Sequence, residues 1–217
     1  MNKRILIAGQ VALLLLAAGS LRAELTTLSA RSGSKMRIEG TSNIHDWRVE
    51  SPLILGSIQV GPNFPTQPGQ AVTPAKVEIK GEAAVTVRSL KSLEKDGKPY
   101  SDKMDEVMAE HLKAQANPRI IFRPTELVLK EAAKSKDTPY LFDAKGDLVV
   151  AGFTNTISMP VSVLPLDKKI EIRGSTTLKM TDFKVEPPSP TFLPIKTGDE
   201  VKIIFDWFVA PKATETK

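Results

Sequence analysis

The sequence has no cysteine and only two histidines, His45 and His111, among 217 residues. The first absence excludes a disulfide framework, a thiolate zinc site, an iron–sulfur cluster, a cysteine nucleophile and a lipidated N-terminal cysteine. The second leaves too few imidazoles for an all-histidine catalytic metal site. Long apolar runs are missing too, with one exception. Ile5 to Ala18 is broken only by Gly9 and Gln10, follows Lys3 and Arg4, and leads into small residues ending at Ala23. The run is shorter than the roughly 20 residues that span a bilayer. Its basic, apolar, small-residue order is that of a secretory signal peptide, expected to be cleaved after Ala23, with an uncleaved anchor as the alternative. Residues 1–23 carry three bases and no acid, so cleavage leaves 27 bases against 25 acids and lowers the formal charge from +5 to +2. The basic surplus that would recommend a nucleic-acid partner sits largely in that segment. No nucleic-acid partner is expected.

Residues 24–217 are expected to form one domain, with an ordered core from about 34 to 210 and frayed ends at Ser29–Ser34 and Pro211–Lys217. Period-2 patterning dominates. Val77, Ile79, Ala83, Val85 and Val87 alternate with polar residues, as do Ile157, Met159, Val161 and Val163. Ile170 to Met180 and Val201 to Val209 repeat the alternation. Shorter candidates are Lys35–Glu39, Trp47–Val49, Leu53–Val60, Arg119–Phe122, Leu127–Lys130 and Asp147–Ala151. About eight strands with Gly, Pro, Asn and Asp punctuation read as an antiparallel sandwich or barrel. Pro160 demands an edge or bulged position. One segment departs from this pattern. Ser101–Gln115 places Met104, Met108 and Leu112 at helical spacing, with Ser101 or Asp102 as cap and Asn117-Pro118 as stop. Such an amphipathic helix covers an end or seam of the sheet.

Polar chemistry is densest at Thr41–Trp47. His45 with Asp46 would make an oriented base or half a metal site. The competing reading is a turn in which Ser42, Asn43 and Asp46 bond local backbone and Trp47 packs inward. Neighbouring residues on a strand face opposite ways, which favours the turn. His111 flanks the helix's apolar stripe with no second histidine at zinc-type spacing. No Gly-x-Ser-x-Gly elbow or phosphate-binding Gly-rich loop occurs. No catalytic residue, metal site or cofactor is expected.

Several segments, in order, resemble the YceI-like family of bacterial exported proteins. They are Gly40-Thr41-Ser42-Asn43-Ile44-His45-Asp46-Trp47, then Asp102–Glu106 leading to Asn117-Pro118-Arg119-Ile120-Ile121-Phe122, then Gly146–Thr154, and finally Gly174–Val209. Asn117 and Phe153 depart from the residues common at their positions. The resemblance implies an extended, lipocalin-like antiparallel barrel around a polyisoprenoid chain or isoprenoid quinone, in the periplasm or secreted. On that fold, alternation sends Ile79, Val85, Ile120, Phe122, Met159, Val161, Leu178 and Phe205 toward the barrel axis. Met104 and Met108 would cover one mouth, and Phe183 and Phe192 would line an entrance. The same residues would equally fill a solid core. A hydrolase centred on His45 and Asp46, or a scaffold without a lipid, are the competing functions.

Overall fold

The computed structural model describes residues 24–189 and 195–212, so the signal-peptide expectation and Phe192 lie outside the described residues. Twelve ladder segments fall into eight long strands. The first strand is β1 (Thr26–Ala30) continued, after a bend, by β2 (Lys35–Ser42). The second is β3 (Trp47–Ser51) continued by β4 (Leu55–Val60). The third comprises β5 (Lys76–Val77), β6 (Ile79–Thr86), a 3₁₀ turn at Val87–Ser89, and β7 (Lys91–Ser92). Five more follow: β8 (Arg119–Glu131), β9 (Tyr140–Val150), β10 (Phe153–Pro165), β11 (Ile170–Lys179) and β12 (Thr197–Pro211). Every pairing is antiparallel between strands adjacent in the chain, and β12 returns to pair with both β1 and β2. The result is a closed eight-stranded up-and-down barrel, which leaves no long edge unpaired.

The bends have local causes. Between β1 and β2 the chain turns through Gly33, whose φ of +90° suits glycine. There Ser34 Oγ donates to the Arg31 carbonyl and accepts the Phe208 N–H. Between β3 and β4, Pro52 interrupts pairing, and Ser51 Oγ donates to the Leu53 carbonyl while accepting the Leu53 N–H. The expectation of a frayed Ser29–Ser34 is corrected: Leu28 is fully buried and β1 is paired on both sides. Alternation failed there because five residues offer one large inward-facing apolar side chain, Leu28, beside the small Ala30.

Pro160 sits in register opposite Asp143 on β9, without a bulge. On its other side, pairing of β10 with β11 covers only Val161–Pro165. Proline has no N–H to extend a ladder, so the β10–β11 seam ends at this residue. A 3₁₀ turn at Met180–Phe183 packs beside the parted strands, fastened where Asn155 Nδ2 donates to the Asp182 carbonyl at 2.6 Å. Phe183 and Val185 bury themselves there with Leu148 and Ala151.

The helix α1 spans Asp102–His111, shorter than the expected Ser101–Gln115. Ser101 caps it by accepting the Met104 N–H at 3.2 Å. Lys113, with φ of +53°, turns the chain out of the helix, and its carbonyl accepts the Ala116 and Asn117 N–H groups. Asp105 anchors the first turn to β7, accepting the Ser92 N–H at 2.7 Å and pairing with Lys91 at 3.1 Å. Met104, Met108 and Leu112 pack against the barrel core, while Lys103, Glu106, Glu110 and Lys113 are exposed. Among the described residues no helix is long and apolar enough to cross a membrane.

Candidate functional site

Inward-facing positions do not fill the barrel. A cavity of about 140 Å³ runs between its walls, lined almost wholly by hydrocarbon. The structure places Ile79, Val85, Ile120, Phe122, Met159, Val161, Leu178 and Phe205 around it. Two aromatic rings lie over inward-facing glycines. A Cβ on Gly174 would come within 2.6 Å of the Phe205 ring, and one on Gly146 within 2.7 Å of the Phe122 ring. Lumen is therefore left where a larger wall residue would push each ring across it.

A second cavity of about 450 Å³ lies at the helix end. Met104, Met108 and Phe183 line it, with Val107 and Leu112. Met36, Ile120, Leu148, Leu178 and Ile203 line both cavities, which therefore lie end to end against the same side chains, with α1 over the outer one. Methionine thioethers conform to irregular apolar shapes, which suits them to this cover. Sequence reasoning missed Met36, Leu148 and Ile203 at the junction. Met36 and Leu148 stand in short runs, the second preceded by the small Ala144 and Gly146, while Ile203 shares the long Val201–Val209 alternation with Phe205. Asn117 and Phe153, the two departures from the family pattern, line neither cavity.

The Thr41–Trp47 segment is a hydrogen-bonded turn at the same end. Ser42 Oγ accepts the N–H groups of Ile44 and His45, each at 3.2 Å, and donates to the His45 carbonyl at 2.8 Å. Asn43 Oδ1 accepts the Lys196 N–H, and Trp47 Nε1 donates to the Thr41 carbonyl. His45 Nδ1 meets the Asp46 backbone carbonyl at 2.8 Å rather than its carboxylate. A carbonyl only accepts, so Nδ1 carries the proton and Nε2 is left facing Tyr100. Asp46 thus does not orient His45 as a base through its side chain. Among the described residues no three His, Asp or Glu side chains gather as a metal site. His111 Nδ1 donates to the Glu186 carbonyl at 2.9 Å, tying α1 to the segment after the 3₁₀ turn. Beside the turn runs a groove of mixed lining, about 690 Å³, formed by His45, Trp47, Arg48 and Tyr100 among others.

Residues 24–208 of the chain match the family model of the YceI-like domain. The chain belongs to the YceI-like family. Two solved structures share the fold of this YceI-like domain. BcnA of Burkholderia cenocepacia is 17% identical, with a TM-score of 0.58 over 82% of this chain and 96% of that one. A polyisoprenoid binding domain from Saccharophagus degradans, implicated in plant cell wall breakdown, is 12% identical, with a TM-score of 0.58 over 86% and 99% of the two chains. No curated protein matches in sequence.

Proposed function

We propose that this YceI-like protein is a carrier outside the cytoplasm that holds one isoprenoid lipid, a polyprenyl chain or isoprenoid quinone, in its barrel. The observation that carries the reading is the pair of adjoining apolar cavities, of which the interior one takes its lining almost wholly from hydrocarbon. Eight strands leave room for one slender ligand. Transfer of a hydrocarbon tail from water gains about 0.8 kcal/mol per buried methylene, so affinity requires no charged site. The fold shared with a polyisoprenoid binding domain supports the same ligand class. Export rests on the basic, apolar and small-residue order of residues 1–23.

Organic extraction of the purified protein followed by mass spectrometry tests the proposal, and a stoichiometric isoprenoid is the expected result. Val161→Trp, which places a ring in the lumen, should abolish lipid recovery while the melting temperature stays near that of the parent. Clear destabilisation with unchanged lipid content would mean that the barrel is a packed core and that the proposal fails.

A further inference from the structure

His45 and Tyr100 stand where the apolar mouth and the groove bearing charged side chains meet, since both line both cavities. Their rings are edge-to-face with centroids 5.9 Å apart, and Tyr100 Oη lies 3.4 Å from His45 Nε2. With Nδ1 spent on the Asp46 carbonyl, Nε2 offers a lone pair and Tyr100 offers an O–H. At 3.4 Å the two are joined by a long hydrogen bond. Tyr100 is 49% exposed and His45 is exposed as well, so each can turn toward a third group.

We infer that this pair is a head-group subsite for a hydroxyl-terminated isoprenoid, resting on the lipid-carrier reading above. The tail lies in the tunnel and the head emerges between the imidazole and the phenol. A hydroxyl suits both partners at once, accepting from Tyr100 Oη–H and donating to His45 Nε2. A diphosphate suits neither the lone pair nor the surrounding charge. The groove's four carboxylates outnumber its three cations. Arg48, which has the fork that would clasp a phosphate, gives Nη2 to the Glu94 and Lys95 carbonyls. At the mouth, Lys103 pairs with Glu106 at 3.3 Å, and Lys179 lies in the field of Asp199.

A chain-matched series separates head from tail: farnesol, farnesyl methyl ether, farnesyl diphosphate and farnesane, titrated calorimetrically into the delipidated protein. Farnesol should bind about tenfold tighter than the ether or the diphosphate, the equivalent of one hydrogen bond of the stronger kind. Tyr100→Phe and His45→Ala should erase that advantage and leave farnesane binding unchanged. Farnesane and farnesyl diphosphate binding as tightly as farnesol would overturn the subsite while the carrier reading stands. So would Tyr100→Phe leaving farnesol at parental affinity. Failure of all four to bind would overturn both.

Discussion

At the scale of single residues, the tunnel owes its bore to small side chains as much as to large ones. Gly174 lies opposite Phe205 across the β11–β12 ladder, and the Pro160 carbonyl oxygen lies 3.1 Å from where its Cβ would stand. With β10 backbone on one side, a Gly174→Ala methyl pushes the Phe205 ring toward the lumen. Overpacking of this kind costs about 1–3 kcal/mol. The expected outcome is a lower melting temperature together with less co-purified lipid, both recovered by Phe205→Leu in the same chain. Unchanged lipid stoichiometry in Gly174→Ala would show that the ring has another way out. The sequence signalled Phe205 by alternation but not the ring-over-glycine contact, which depends on cross-strand register. The His45–Tyr100 pairing was equally hidden, because it joins a turn to a segment 55 residues away.

Among the elements, the 3₁₀ turn at Met180–Phe183 is held to β10 by Asn155 and latched to β12 by Asp199. Asp199 on β12 accepts the Thr181 hydroxyl at 2.6 Å and the Thr181 N–H at 2.9 Å. The hydroxyl first, and then the backbone N–H, hold the Asp199 carboxyl below its ordinary value. A carboxyl whose value is lowered by folding lends stability above its unfolded value. That contribution is lost as pH falls through the folded value. Acidification below about pH 4, the ordinary carboxylate range, should therefore loosen the turn that carries Phe183 into the tunnel mouth. The Thr181 amide resonance should move with that titration, and Asp199→Asn should remove the movement. A Thr181 shift that persists in the Asn variant would place the titrating group elsewhere. Long alternations made β6, β11 and β12 legible in the sequence, and three residues at helical spacing did the same for α1. β9 was read only from Asp147 onward, because the exposed Leu141 breaks the contrast between Tyr140 and Phe142, and the next inward positions shrink to Ala144 and Gly146. β1, with one buried leucine, gave no period at all.

For the whole molecule, counting strands and turns left sandwich or barrel open, the family resemblance chose the barrel, and neither showed the tunnel. Composition is the same for a filled core and a lined cavity, and only the positions of the rings and glycines separate them. The return of β12 to β1 and β2 has a further, kinetic consequence. Leu28 is paired with Pro211, so the first and last strands of the described chain share a seam. Seven strands can form as neighbours in order, but the wall cannot shut until the eighth is complete. Before then the future lumen is an open trough, and a tail can be laid in along its length rather than threaded through the mouth. Contacts this distant in sequence place folding among slow all-β domains, in milliseconds to seconds. Stopped-flow refolding should show closure on that timescale, and adding farnesol before refolding should load more protein than adding it afterwards. Equal loading from either order would show that the finished mouth admits the lipid as readily as the open trough.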